Sequence, residues 1–232
     1  MAESEVGIMK KGLTEIIFIL DRSNSMSGLE ADTIGGFNSM ISRQKKEKGK
    51  AIVSTILFDD RIEILHDRIP LKEVNAITEE DYFVGGSTAL LDAVGRSISH
   101  INSIHKVSRK EDVPEKTLFI ITTDGMENSS REYSYDKVKN LVEDQKMNKH
   151  WEFIFLGANI DAIKVAAEFG VSANRAARYE SDSAGTKLNF DVMTSIISCA
   201  RSCETASMME EAFDRNELLK PIQNDLRKRH KL

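Results

Sequence analysis

Apolar residues dominate four stretches of the chain, over 13–20, 51–58, 117–123 and 151–156, and none of them alternates with polar positions. The run at 16–20 consists of five consecutive apolar residues. Such runs are typical of strands buried on both faces, as in a parallel sheet covered by helices. The segment 61–69 alternates instead, which predicts an edge strand with one wet face. A last short strand is predicted over 175–179.

Between these strands, apolar residues recur at helical spacing. The pattern predicts helices over 29–42, 89–104, 163–169 and 189–200, and another helix through Val138, Leu141 and Val142. Strands that alternate with helices in this order predict an α/β fold, a doubly wound sheet with helices on both faces. The pair Gly35-Gly36 inside the first helix indicates either close packing on the sheet or a kink.

Composition and charge limit the partners and the cellular location that we expect for this fold. The 232 residues are 41% hydrophobic, enough for one sizeable core, and the net charge of −5 is spread along the chain. We therefore expect no nucleic-acid partner. We also expect no membrane span, because no apolar run is long enough. The acidic opening lacks a signal-peptide pattern, and Cys199 and Cys203 are predicted to be buried thiols, so a reducing, cytoplasmic location is expected.

Candidate chemistry begins where the first strand ends. Asp21, Ser23 and Ser25 follow the strand directly. The carboxyl ends of the strands are where open α/β sheets bind ligands. All three side chains offer hard oxygen donors. Such donors suit Mg²⁺, which wants six oxygens and often keeps several as water.

Two later segments supply further oxygen donors. Thr88 follows Gly85-Gly86 just before a predicted helix, and Asp124-Gly125 follows the third apolar strand. With these, the chain resembles the von Willebrand factor A (vWA) family, whose metal ion-dependent adhesion site is Asp-x-Ser-x-Ser, a distant Thr and a distant Asp-Gly. The resemblance covers residues 13–201 and is strongest to bacterial stand-alone cytoplasmic members. Asn24 stands where many members have Gly, and Asn tolerates positive φ.

The resemblance implies a mostly parallel sheet with one antiparallel edge strand. It also implies that Ser23 and Ser25 bind Mg²⁺ directly, that Thr88 binds directly or through water, and that Asp21 and Asp124 act mostly through water. Mn²⁺ accepts the same ligands. The implied function is Mg²⁺-dependent protein binding, without catalysis, in which a Glu or Asp of an unidentified partner completes the coordination. The helix over 189–200 is expected to slide when a partner binds.

Three domain segments are expected. Residues 1–12 form a polar lead-in, residues 13–201 the vWA domain, and residues 202–232 a C-terminal extension with a basic tail. The basic run at 227–231 is typical of a solvated end. A docking peptide for an acidic partner or a membrane surface is the alternative.

Other interpretations of the site remain open. Asp21 and Asp124 could cap helices, with the serines satisfying backbone donors. A Mg²⁺-dependent hydrolase or phosphotransferase could use Asp21 as its nucleophile and Glu127 as a base, although Ser23 stands where the haloacid dehalogenase pattern wants an acid. The five histidines are scattered, and no phosphate-binding glycine loop is present. A metal-independent interaction module is the third possibility.

Overall fold

A six-stranded sheet lies at the centre of the structure, a computed structural model that describes residues 10–215 and 217–230. The sheet order is β3-β2-β1-β4-β5-β6. β3 runs antiparallel to β2, and every other neighbouring pair is parallel. The strands are β1 Lys10–Asp21, β2 Lys50–Phe58, β3 Ile62–Pro70, β4 Pro114–Thr123, β5 Glu152–Ala158 and β6 Ala176–Tyr179. This topology confirms the predicted fold class, including the antiparallel edge strand.

The first strand is longer than its apolar run. It begins at Lys10, so it includes the last three positions of the lead-in expected over 1–12, and residues 1–9 lie outside the described part of the chain. Lys10 pairs with Pro114 of β4, whereas pairing with β2 begins at Leu13. The strand therefore begins where backbone pairing begins. The polarity of the side chains does not indicate that position.

Seven helices flank the sheet in the described ranges. They are α1 Glu30–Lys46, α2 Leu90–Val107, α3 Tyr135–Lys149, α4 Ala162–Glu168, α5 Ser183–Ser202, α6 Ala206–Arg215 and α7 Lys220–His230. Alternate residues of β1 face opposite layers. Ile16, Phe18 and Leu20 pack in the cluster with α1 and α5, and Ile17 and Ile19 pack in the cluster with α2, α3 and α4. Burial on both faces explains why this strand lacks polar alternation.

The predicted extension from residue 202 onward contains two helices, which the pattern of apolar residues did not predict. Met209 and Phe213 of α6 and Ile222 of α7 are buried in the same apolar cluster as α1 and α5. The boundary expected at residue 201 therefore does not coincide with a boundary in the core. The basic residues of α7, from 227 to 230, are exposed. Each helix has one narrow apolar face, which is a weak signal in a short sequence window.

Two features that the sequence left unexplained have structural roles. A Cβ placed on Gly36 would lie 2.2 Å from the Phe190 ring, so this glycine allows α1 and α5 to pack closely, whereas the sequence had indicated packing on the sheet or a kink. The segment between β3 and the site is rich in polar residues, yet Val74, Ile77 and Tyr82 within it are buried. Across the described ranges, no helix combines the length and apolarity that a membrane crossing requires.

Candidate metal site

Three of the five predicted site residues contribute hydroxyl groups that the fold brings into contact. Ser23 and Ser25 lie in the loop after β1, and Thr88 lies in the loop before α2. Thr88 Oγ1 is 3.0 Å from Ser23 Oγ, which is 3.0 Å from Ser25 Oγ. Asn24, between the serines, does not need the positive φ that a glycine would permit. The departure from the vWA pattern therefore causes no backbone strain here.

A small space separates the hydroxyls from the loop after β4. A Cβ placed on Gly125 would lie 2.9 Å from Thr88 Oγ1, 3.0 Å from Ser25 Oγ and 3.8 Å from Ser23 Oγ. The glycine that follows Asp124 thus leaves open a space lined by all three hydroxyl oxygens. Any other residue at position 125 would fill this space with carbon.

Asp21, the last residue of β1, is 1% exposed and accepts hydrogen bonds only from neutral groups. Its Oδ1 accepts from Ser23 N at 2.7 Å, and its Oδ2 accepts from Thr123 Oγ1 at 2.6 Å and from Asp124 N at 3.3 Å. Burial raises the pKa of Asp21, and the hydrogen bonds from Ser23, Thr123 and Asp124 oppose that rise only in part. The Asp21 carboxylate is therefore held by three neutral hydrogen-bond donors, and none of them supplies a positive charge.

Asp124 follows β4 and is 2% exposed. Asn159 Nδ2 donates to its Oδ1 at 2.5 Å, and the Ser181 hydroxyl donates to its Oδ2. Burial raises the pKa of Asp124, and the nearby charge of Asp21 raises it further against the effect of these hydrogen bonds. The two predicted acids therefore lie in one buried region and disfavour each other's ionisation.

In the described part of the chain, neither Asp21 nor Asp124 forms an ion pair. The nearest cation in the sequence, Arg22, turns away to Asp59 at 3.1 Å and Glu63 at 2.7 Å. The same residues contain no group of three or more His, Cys, Asp or Glu side chains that could hold a metal. The candidate site therefore consists of two carboxylates and three hydroxyls.

Sequence analysis missed four side chains that position the acids. Thr123, Asn159 and Ser181 donate to the two carboxylates, and the Tyr82 hydroxyl donates to the backbone carbonyl of Asp21 at 2.6 Å. Asn159 has a detectable signal, because it follows the apolar run of β5 just as Asp124 follows that of β4. Ser181 likewise follows β6. Tyr82 had no such signal, because it lies inside a loop that reads as polar.

The loop after Asp124 is fastened to the segment that carries Thr88. Thr88 N donates to Asn128 Oδ1 at 2.9 Å, and Asn128 N donates to the Thr88 carbonyl at 3.0 Å. The Glu127 carboxylate accepts four hydrogen bonds, from Leu91 N, Ser129 N, Ser130 N and the Ser130 hydroxyl. Glu127 therefore joins this loop to the start of α2, and its oxygens are already engaged by donors, unlike those of a spare base.

The five histidines lie away from the serines of the site. Their ring nitrogens contact Thr55, Asp67, Glu15, Glu210 and Glu180, for His66, His100, His105, His150 and His230 respectively. Within residues 10–215 and 217–230, no histidine is hydrogen-bonded to Ser23 or Ser25. The arrangement therefore offers a charged, oxygen-lined recess without an adjacent imidazole base.

No protein-family model and no curated protein sequence matches the chain. Several solved structures are similar to it. The chain is similar to proximal thread matrix protein 1 from the mussel byssus with a zinc-occupied MIDAS motif, the metal ion-dependent adhesion site (TM-score 0.55, 15% identity, 81% of this chain and 46% of that one). It is also similar to the ArnB paralog VWA2 from Sulfolobus acidocaldarius (0.50, 18%, 81% and 44%) and to von Willebrand factor type A from Catenulispora acidiphila (0.50, 15%, 78% and 41%).

These likenesses define the class of fold. The chain has the Rossmann-like α/β fold of von Willebrand factor A domains, with a mostly parallel sheet between two helical layers. It spans less than half the length of each of these three proteins. At such low identities the likeness extends to the fold, and the function of the site has to be argued from its own residues.

Proposed function

We propose that this protein binds a divalent cation, Mg²⁺ or Mn²⁺, at Asp21, Ser23, Ser25, Thr88 and Asp124, and binds a protein partner through that cation. One observation carries the proposal. Two nearly fully buried carboxylates, Asp21 and Asp124, have only neutral donors around them and lie beside a recess lined by three hydroxyls. Burying a charge without a counter-charge is costly, and a cation in the recess would remove that cost.

The donor types favour Mg²⁺ or Mn²⁺. Hydroxyl and carboxylate oxygens are hard ligands, and the site offers neither thiolate nor imidazole. In this proposal the hydroxyls of Ser23, Ser25 and Thr88 bind the cation directly or through water. Asp21 and Asp124 balance its charge, and Thr123, Asn159 and Ser181 orient them. The mussel-byssus protein, whose MIDAS motif holds zinc, gives this reading support from a similar fold.

A partner carboxylate is the group that would complete such a site. Neutral hydroxyls leave a bound cation electrophilic, so a Glu or Asp side chain of a partner is an attractive further ligand. Two observations favour binding over catalysis. The Glu127 carboxylate already accepts four hydrogen bonds, and in the part of the chain that the structure describes no histidine is hydrogen-bonded to a site serine. We propose a protein-binding module rather than a hydrolase.

Thermal unfolding in EDTA and in excess Mg²⁺ tests the cation. At about 100 times its dissociation constant a ligand adds about 2.7 kcal/mol to the free energy of unfolding. In a domain of this size each kcal/mol raises the midpoint by roughly 2–4 °C. We therefore expect a rise of about 5–10 °C in the wild type and none in Asp21→Asn. Asp136→Asn, at an exposed position in α3, is the matched control and should retain the full rise.

The partner is tested next, with the same variants. Proteins captured from a lysate by the wild type in Mg²⁺ should be released by EDTA and should not be captured by Asp21→Asn. An equal midpoint in EDTA and Mg²⁺ for the wild type would refute the cation site. Capture that persists in EDTA and in Asp21→Asn would instead favour the metal-independent interaction module.

A further inference from the structure

A second candidate binding site lies at the opposite edge of the sheet. Pro114 opens β4 and Trp151 immediately precedes β5, so both lie at the amino ends of strands. Together with the last turns of α2 and α3 they line a cavity of about 490 Å³. Sites for small molecules typically occupy about 300–1,000 Å³. The cavity shares no residue with the candidate metal site.

Positive charge converges on this cavity from three separate elements. Lys106 comes from the end of α2, Lys110 from the following turn and Lys149 from the end of α3. One acidic residue, Glu115, also lines it. Burial and the charge of Lys106 lower the pKa of Lys149, so the two ammonium groups repel each other across the opening. An anion between them would relieve that repulsion.

The walls beneath these charges are apolar. Pro114 is buried, and the ammonium of Lys149 lies 5.2 Å from the centre of the Trp151 ring. His105 lines the cavity too, and within the described residues its Nδ1 is a buried atom without a hydrogen-bond partner. The other ring nitrogen is held by Glu15 at 2.6 Å. The cavity thus combines an apolar floor with a charged rim.

We propose that this cavity binds a small organic anion that joins a ring-sized apolar body to a carboxylate or phosphate group. The apolar part would lie against Pro114 and Trp151, and the anionic group would lie between Lys106 and Lys149. A purely structural reason exists for one lysine at each helix end, because cations interact favourably with helix C-termini. That reason explains neither the cavity nor the convergence of Lys110 on the same opening. The experiment below distinguishes an anion-binding role of these lysines from a purely structural one.

Trp151 makes the test direct, because it is the single tryptophan of the chain. The full chain, kept in EDTA so that no cation site competes, is titrated with phenyl phosphate while Trp fluorescence and heat are recorded in parallel. Inorganic phosphate carries the charge without the ring, and benzyl alcohol carries the ring without the charge. We expect saturable binding of phenyl phosphate with a dissociation constant of about 1 mM or tighter. Each of the other two probes should bind at least about tenfold more weakly.

Variants locate the binding in this cavity. Lys106→Gln and Lys110→Gln should each weaken phenyl phosphate binding by about two- to fivefold, as expected for exposed charges. Lys164→Gln, at an exposed position in α4 outside the cavity, is the matched control and should leave the affinity unchanged. The far-ultraviolet circular dichroism of each variant verifies that it is folded.

Three results would overturn the proposal. They are the absence of saturation by both fluorescence and heat, equal affinity for inorganic phosphate, and equal weakening by Lys164→Gln. The result for Asp21→Asn separates this proposal from the cation site, because that variant should bind phenyl phosphate as the wild type does.

Discussion

Two pairs of buried acids in the sheet differ in whether a counter-charge contacts them. In the amino-terminal half, Glu15 is fully buried between Arg68 at 2.6 Å and His105 at 2.6 Å, and Glu152 is paired with Arg175 at 2.9 Å. At the carboxyl-terminal edge, Asp21 and Asp124 are equally buried and contact hydroxyls and amides only. The first pair of acids carries its own counter-charges, whereas the second pair lacks them among the residues described.

This difference distinguishes structural carboxylates from candidate functional ones. An acid whose counter-charge is built into the fold is compensated without a ligand. An acid without one has a raised pKa, because burial penalises its charged form, and such groups are candidates for function. Burial alone would not have separated Glu15 from Asp21. Their partners do.

The largest expected effect concerns the compensated acid. Glu15→Gln would leave the Arg68 guanidinium without its buried counter-charge, and breaking a buried ion pair typically costs about 3–5 kcal/mol. Urea unfolding in EDTA should show this loss, whereas Asp21→Asn should cost less because no buried cation is left unpaired. Glu143→Gln, at an exposed acid of α3, is the matched control. Equal losses for Glu15→Gln and Asp21→Asn would remove the proposed distinction.

The second effect concerns the recess at the uncompensated edge. Gly125→Ala would place a methyl group 2.9 Å from Thr88 Oγ1 and 3.0 Å from Ser25 Oγ, without the strain of a positive φ. We expect the gain of about 2.7 kcal/mol in saturating Mg²⁺ to disappear. Thermal midpoints in EDTA and Mg²⁺ measure it.

Gly35→Ala provides the comparison for that experiment. A Cβ there would meet no atom within 4 Å, so we expect a gain of about 0.5–1 kcal/mol from helix propensity. Its Mg²⁺ response should be complete. A complete response in Gly125→Ala would show that the cation, if bound, does not occupy the space between the hydroxyls.

The third effect is a pH dependence of the metal-free protein. Burial raises the pKa of Asp21 above 3.8, so the folded state binds this proton more tightly than the unfolded state does. The resulting stabilisation is complete below the unfolded pKa and is lost as the pH rises through the raised folded pKa. In EDTA, the wild type should therefore lose stability relative to Asp21→Asn as the pH is raised from about 4 to neutrality. Urea midpoints across that range measure it, and a constant difference would contradict it.

The smallest effect concerns the loop that holds Thr88. Asn128→Ala removes the side-chain acceptor for Thr88 N, a contact worth about 1 kcal/mol, so we expect Mg²⁺ affinity to fall by about fivefold. Calorimetric titration with MgCl₂ measures the affinity. Asn148→Ala, which removes an exposed amide in α3, should leave it unchanged. An unchanged affinity in Asn128→Ala would show that the backbone contact alone positions Thr88.

Several parts of the molecule were accessible from the sequence because their signals are local. Runs of apolar residues marked the buried strands, since a strand covered on both faces has no polar position. Asp21 and Asp124 each follow such a run, which placed both at the carboxyl edge of the sheet. The helices α6 and α7 were not predicted, because each buries only a few apolar residues on one narrow face.

The chain by itself determined the order of the six strands and of the first five helices, the fold class and the five oxygen-bearing side chains of the candidate site. Only the tertiary structure decided which buried acids are compensated. Glu15 meets a histidine 90 positions away, and Ser23 meets a threonine 65 positions away. Electrostatic compensation depends on distances in space between groups from different elements, and no local pattern in the chain encodes them.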